Sequence, residues 1–344
     1  MDRCDDVTVL ICTWNRARLL DETLSSIAQL EPPAHLRWEV VVVDNNSSDD
    51  TRHVVERQAR QFPTTLRYLF EPRQGKSWAM NTGLSATRLP LVLFADDDIR
   101  VSRGWLAAVT GAFRDDPDIA YVGGPVVPIW EQACPRWFAQ TGKTLWGTLA
   151  ILDYGSEPFV FEERRKVPLG ANFAVRRTMI EQVGGFDPSL GRNADTVIMG
   201  QELPEFFARS RAAGFRGRYL PEMGVEHHVP AYRLRPTYVR RWWYGKGVSR
   251  ARMEQRHPVT ELGLDLRTVP RIAGIPRFLF GTAWHEALRW CAALAGGNVG
   301  GRIAAETQLW YVAGQVREQL RYGSRRAGPR PLPPPTTARR SNAG

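Results

Sequence analysis

A chain of 344 residues with 43% hydrophobic and 24% charged content is globular, holds a sizeable core and allows one large domain or two smaller ones. Its net charge of +10 is uneven: from His228 onward 20 Lys and Arg face 6 Asp and Glu, a surplus of 14, whereas residues 1–227 carry −4. That asymmetry suits an anionic partner for the C-terminal third, a membrane face or a phosphorylated acceptor, and no nucleic-acid-binding motif accompanies it.

In chain order, Val7 to Cys12 reads as a strand, Ala17 to Leu30 as an amphipathic helix, Glu39 to Val43 as a second strand and Asp49 to Phe62 as a helix. Leu66 to Phe70 is a third strand, Ser77 to Ala86 a helix, and Leu89 to Ala95 a fourth strand. Strands separated by single helices imply βαβ crossovers and an α/β fold with a mostly parallel, doubly wound, Rossmann-like sheet covered by helices on both faces. Further on, Trp105 to Phe113 is a helix, Ala120 to Val127 a strand, and Pro128 to Val167 an irregular region bearing Trp130, Trp137 and Trp146. Ala171 to Arg176 is a strand, Arg177 to Val183 a short helix, and Pro204 to Ala213 a helix with Pro204 in its first turn. Tyr232 to about Met253 and Arg277 to Leu320 are helical and basic, and Gly323 to Gly344 has a disordered composition. The domains expected are therefore 1–228, a helical extension 229–322 and a tail 323–344.

Ligands bind such sheets beyond the carboxyl ends of the strands. All four strand exits are polar: Thr13-Trp14-Asn15-Arg16, Asp44-Asn45-Asn46-Ser47, Glu71 to Lys76, and Asp96-Asp97-Asp98. Three carboxylates at the end of a buried strand must face a cation, and hard divalent ions choose carboxylate oxygens. A metal at Asp96 and Asp98, with Arg73 and Lys76 nearby, concentrates positive charge where a diphosphate can lie. Asp44 and Asn45 offer hydrogen bonds to a base or ribose. A nucleoside diphosphate fits this edge, whereas the first strand is followed by neither a P-loop nor G-x-G-x-x-G. A nucleotidyltransferase would carry a Gly-rich basic loop where this chain has Cys12-Thr13-Trp14-Asn15.

The residues also carry a resemblance. Val7 to Arg16 with Leu19-Leu20, Val41-Val42-Val43-Asp44-Asn45-Asn46-Ser47, Gly75-Lys76 with Asn81-Thr82-Gly83, the acidic triad, Pro168 to Arg177 and Val183-Gly184-Gly185-Phe186-Asp187 resemble glycosyltransferase family two, inverting enzymes of the GT-A fold. The resemblance spans roughly residues 5–250. It implies a nucleoside-diphosphate-sugar donor, a UDP-sugar by expectation, and Mn2+ or Mg2+ as cofactor. It implies that Asp44 contacts the nucleobase, that Asp96, with Asp97 beside it, lies near ribose and metal, and that Asp98 ligates the metal. Thr13, Asn15 and Arg16 then lie at the nucleotide pocket, and Arg73 and Lys76 approach nucleotide or phosphate.

Family members usually draw the base that deprotonates the acceptor from a Glu-Asp pair heading a helix. The matching segment here is Gln201-Glu202-Leu203-Pro204-Glu205, so Glu202 is the expected base, Leu203 replaces the Asp, and Glu205 and Asp195 are alternatives. That departure leaves a non-catalytic nucleotide-sugar-binding relative as the alternative function. His228 is expected to complete the metal site, with His227 as its rival. Trp130, Trp137 and Trp146 are candidate platforms for acceptor sugar rings, and Arg240 to Gly247 a segment that closes over the diphosphate or meets a membrane.

The expected function is transfer of a sugar to an acceptor hydroxyl, saccharide or lipid-linked, in cell-envelope polysaccharide or glycolipid synthesis. Cys4, Cys12, Cys134 and Cys291 show no paired spacing, the start of the chain shows no secretory apolar region, and no apolar run reaches about 18 residues. A cytoplasmic protein, peripheral on the inner face of the cell membrane, is the expected location.

Overall fold

The computed structural model describes residues 6–164, 166–192, 200–258 and 265–323. Its first half runs β1 (Val7–Thr13), α1 (Ala17–Ile27), β2 (Trp38–Asp44), α2 (Thr51–Ala59), β3 (Thr65–Phe70), α3 (Lys76–Ala86), β4 (Leu91–Asp96) and β5 (Ile99–Val101). Then come α4 (Trp105–Asp115), β6 (Ile119–Gly123), β7 (Val126–Trp130), α5 (Arg136–Ala139), β8 (Phe159–Val160), β9 (Asn172–Arg176) and α6 (Arg177–Val183). The remainder is α7 (Glu202–Ala212), β10 (Arg216–Tyr219), β11 (Val225–Val229), α8 (Pro236–Arg256), β12 (Arg271–Ile272), β13 (Ile275–Pro276), α9 (Arg277–Ala295) and α10 (Val299–Gly323).

The main sheet has the order β3-β2-β1-β4-β9-β6-β10-β8. Its β3-β2-β1-β4 half is parallel, as the alternation of strands and helices predicts. Val9, Ile11, Val40 to Val43 and Leu91 to Leu93 are all fully buried, which is why these strands read as continuous apolar runs rather than alternating ones. Helix α1 buries Leu20, Thr23, Leu24 and Ile27, one stripe at the spacing a single helical face requires.

Three features shape the site. First, β9 runs antiparallel to both β4 and β6, so the sheet is mostly parallel, as expected, rather than wholly so. Second, the strand expected from Ala120 to Val127 is two: β6 stays in the main sheet, and β7 leaves to join β5 and β11 in a three-stranded sheet. The break falls at Gly124-Pro125. A Cβ on Gly124 would lie 2.4 Å from Met223 Cγ and 2.7 Å from the Met223 carbonyl oxygen, so only glycine lets the chains cross here. Proline then removes a ladder donor. Third, β5 comes directly after the acidic triad, where the sequence shows no strand.

The basic stretch from Arg277 is two helices, broken where Gly297 takes φ +65° and Asn298 Oδ1 accepts from the Gly301 amide at 2.8 Å, a side-chain cap on α10. Helices α8 and α10 pack closely because Gly247 and Gly314 present no side chain to each other's backbone. A second apolar cluster joins Phe138, Leu145 and Leu149 to Val229, Leu234, Trp243 and Ile303, so the helical extension shares a core with the region before residue 228. The expected tail lies outside the described residues except for Gly323, which ends α10.

Candidate active site

Parallel register sets the site's level. Thr13 at the end of β1 lies opposite Asp44 on β2, and Cys12 lies opposite Asp96 on β4. Beyond these ends opens a cleft of about 400 Å³ whose lining includes Thr13, Arg16, Asn45, Lys76, the triad and His227. Cys12 lines it too, but burial pushes its thiol up to about 12, which removes it as a nucleophile.

The three aspartates have different surroundings. Asp97 is buried and accepts hydrogen bonds from Thr13 Oγ1 at 2.7 Å and Arg16 Nη1 at 2.9 Å. Its carboxyl is pushed up by burial, opposed by Arg16, and its oxygens are occupied. Arg16 Nη1 also reaches Asp98 Oδ2 at 2.6 Å, and chiefly Asp97 raises the guanidinium above its ordinary range. Asp98 Oδ1 is buried and has His227 Nε2 as its neighbour at 3.2 Å. Burial pushes Asp98 up, but His227, Arg16 and Arg233 outweigh it and hold the carboxylate well below the usual range. Lys76 Nζ sits 2.5 Å from Asp96 Oδ1; burial lowers the ammonium pKa, and Asp96 more than restores it.

The second sheet brings the histidine. Strand β11 pairs antiparallel with β5, His227 opposite Ile99, and the His228 amide donates to the Asp98 carbonyl at 2.8 Å. Successive strand residues face opposite ways. His227 is therefore buried against the carboxylates, with Nε2 3.2 Å from Asp98 Oδ1, while His228 points to a small recess shared with Leu19, Glu22 and Ile129. One ligand atom from each of Asp96, Asp98 and His227 falls within 4.8 Å of the others. This corrects the expectation for His228: strand register brings His227 to the acids instead.

Arg73 also departs from expectation. Its guanidinium makes two 2.7 Å bonds to Glu71, lies 3.9 Å over the Trp78 ring and faces a separate surface hollow. Chiefly through that pairing, Glu71 drops to about 2. Asn15, exposed at φ 52°, is not among the cleft residues. Its amide donates to Ser47 Oγ at 2.9 Å and its Oδ1 accepts from the Ser48 amide at 2.7 Å, stapling two strand exits. Asp44 is buried at the same edge and accepts from Tyr68 Oη at 2.7 Å and the Ser47 amide at 2.9 Å. Asn45 lines the cleft and clamps the loop that carries Lys76: its Nδ2 donates to the Arg73 carbonyl at 2.7 Å and its Oδ1 accepts from the Gly75 amide at 2.8 Å. Gly75 takes φ +138°, open only to glycine.

Glu202 opens α7, is buried, and leaves Oε2 without a hydrogen bond among the described residues. Burial lifts its carboxyl above the ordinary glutamate range, partly offset by hydrogen bonding to its own backbone and by Lys76 and Arg192. Glu205 is bound by Arg209 at 2.6 and 2.9 Å and by His257 Nε2 at 3.2 Å, so it is committed to an ion-pair network. Asp195 lies outside the described residues. Leu203 packs where a Cβ on Gly170 would meet its Cδ1 at 2.6 Å, an apolar contact that fills the position expected for an Asp.

Of the tryptophans, Trp130 and Trp137 are edge-on to Phe138 and Trp146 lies under Lys143, none of them in the cleft. The wall beyond the strand exits comes instead from Tyr232, Arg233, Tyr238, Arg241 and Trp242. Of these, the sequence singles out only Arg241 and Trp242, within the Arg240 to Gly247 segment. Arg233 is buried, and its hydrogen bond is a long 3.5 Å one to Tyr232 Oη. The Arg233 guanidinium acts on the buried Asp98 carboxylate, and no carboxylate among the described residues pairs with Arg241. The signal for this wall is the basic, aromatic run itself.

A family model described as "Glycosyl transferase family 2" matches residues 8–184. The chain is 27% identical over 257 residues to "Glucosyl-dolichyl phosphate glucuronosyltransferase" of Haloferax volcanii, covering 73% of this chain and 78% of that one. It is 28% identical over 254 residues to "Succinoglycan biosynthesis protein ExoM" of Rhizobium meliloti, covering 73% and 76%. Among solved structures, the mannosyltransferase PcManGT of Pyrobaculum calidifontis, in complex with GDP-Man and Mn2+, superposes with a TM-score of 0.56 at 22% identity over 91% of this chain and 86% of the other. That likeness shows the GT-A fold.

Proposed function

The chain belongs to glycosyl transferase family 2 and is a glycosyltransferase, and from that premise we propose that it moves a sugar, with inversion, from a nucleoside-diphosphate donor to an acceptor hydroxyl. One observation carries the reading: Asp96, Asp98 and His227 present converging ligand atoms in the cleft, one from each within 4.8 Å of the others. Two carboxylates converging with an imidazole fit a divalent cation, Mn2+ by donor type. Asp96, Asp98 and His227 would hold it, and when bound it supplies charge stabilisation to the departing diphosphate.

The chain's own residues do the rest. Thr13 and Arg16 fix Asp97 and Asp98 through hydrogen bonds, so the carboxylates are set before the donor arrives. Asn45 holds the loop that aims Lys76 into the cleft. Arg233, close enough to Asp98 to act on its carboxylate, and Arg241 line the cleft and offer charge to phosphate oxygens. Glu202 takes the proton of the acceptor hydroxyl: its raised pKa and unpartnered Oε2 suit a base that must release that proton again.

The donor is read as a UDP-sugar. The acceptor is read as a saccharide or lipid-linked sugar, which the names of the two relatives support, and its place as the inner membrane face. Screening the purified chain with Mn2+ against a donor panel, reading free nucleoside diphosphate and the anomeric configuration of the product, tests this. Retention of configuration, or turnover untouched by Asp98→Ala, overturns it.

A further inference from the structure

Helix α9 lies against α10, which lies against α8, whose Arg241 and Trp242 wall the cleft. The inner side of α9 buries Leu279 and Glu286 and donates from Trp290 Nε1 to Glu306 at 3.0 Å. Its outer side is different. Phe280, Trp284 and Leu288 are 45%, 69% and 52% exposed, and Cys291 continues their line at the next turn. Spacings of four, four and three place these side chains on one stripe of the helix. No apolar partner among the described residues covers it.

The net charge around the stripe is positive. The only acid on α9 is Glu286, which is buried and pairs with the exposed Arg289 at 3.0 Å, whereas Arg277 is exposed beside the stripe. The β12–β13 hairpin leading into α9 exposes Ile272 beside Arg271. In the sequence beyond α10, residues 324–344 add five arginines and no acid. An apolar stripe centred on tryptophan and flanked by net positive charge matches a surface with acyl chains beneath and anionic headgroups above. No helix among the described residues is long and apolar enough to cross a membrane, so such contact is with the surface.

We propose that the outer face of α9 is a docking surface for an anionic lipid bilayer, with Trp284 at its centre. This rests on the reading of a membrane-face acceptor and names the part of the chain that reaches the membrane. Flotation should carry the full chain with vesicles of mixed phosphatidylglycerol and phosphatidylcholine, and far less with pure phosphatidylcholine. Combining Trp284→Ser with Leu288→Ser should lower the partition coefficient at least about tenfold, because two large apolar side chains no longer insert. Arg277→Gln should weaken binding to the anionic vesicles alone. Manganese-dependent nucleoside diphosphate release should match wild type in the doubly substituted chain with a water-soluble acceptor. Release lost in wild type while flotation persists counts against the transfer reading and leaves the docking surface standing. Failure of the wild-type chain to float on anionic vesicles, or equal flotation after the double substitution, overturns the proposal. So does a dimer in sedimentation that the double substitution dissociates, which would give the face to a second copy.

Discussion

His227 Nε2 and Asp98 Oδ1 lie 3.2 Å apart although 129 positions separate them in sequence, and the backbone beside them is what makes the pairing rigid. The amide of the next residue, His228, bonds the Asp98 carbonyl at 2.8 Å, so β11 grips the turn that carries the acids. His227→Ala should therefore raise the Mn2+ concentration needed for half-maximal turnover by at least the roughly 10–100-fold typical of losing a group that merely supports a metal ligand. His228→Ala should leave it nearly unchanged. A manganese titration of nucleoside diphosphate release separates the two, and the opposite ranking would return the ligand role to His228.

Glu202→Gln should lower turnover about 10²–10⁴-fold, the usual worth of a general base, while nucleotide affinity by calorimetry persists. Burial raises the folded-state pKa of Glu202, and the base works deprotonated. The acid limb of kcat/KM should thus lie above the ordinary glutamate value of about 4.3, with activity rising as pH climbs through the shifted pKa. A pH profile whose acid limb survives in the Gln variant assigns that limb elsewhere.

Glu205 should behave as a structural residue. Arg209 and His257 overcome the upward push of burial and hold its folded pKa below the unfolded value. Its stabilising contribution is then full above the unfolded glutamate pKa, about 4.3, and is lost as pH falls through the folded value. Glu205→Gln should cost about 1–3 kcal/mol near neutral pH, converge with wild type in acid, and leave kcat nearly intact. Denaturant melts at two pH values check this.

Why the parallel half of the sheet and its polar exits are readable is clear from Val40 to Val43 and Leu91 to Leu93: strands buried on both faces must be unbroken apolar runs, and Asn45 and the acidic triad at their carboxyl ends line the cleft. Strand β5 has three residues, too few to show a period, so nothing in Ile99-Arg100-Val101 announces the ladder that selects His227. Arg73 escapes sequence reading for a related reason. Its partner Glu71 is two residues away in the same loop, and whether a loop cation faces a ligand or its neighbour depends on side-chain direction that sequence spacing leaves open. Lys76→Ala should accordingly weaken nucleotide binding or turnover far more than Arg73→Ala, whose main effect should be a lower melting temperature. Comparable losses in nucleotide affinity for both would restore Arg73 to the pocket.

Gly247 and Gly314 link the cleft wall to the outer helices. A Cβ on Gly247 would stand 2.0 Å from the Tyr311 carbonyl oxygen, and one on Gly314 would stand 2.2 Å from that of Tyr244. Both obstacles are backbone, which cannot rotate away as a side chain can, so α8 and α10 must separate to admit a methyl group. Either Gly→Ala substitution should cost about 1–3 kcal/mol by overpacking, visible as a lowered melting temperature. Arg241 and Trp242 ride on α8, so Gly247→Ala should also raise the donor or acceptor KM at temperatures where the variant remains folded. Gly281 on α9 has no neighbour within 4 Å of its missing Cβ, and Gly281→Ala should instead be neutral or mildly stabilising, since alanine favours the helix by about 1 kcal/mol. A Gly247→Ala chain as stable as Gly281→Ala would show that the α8–α10 crossing is looser than these distances require.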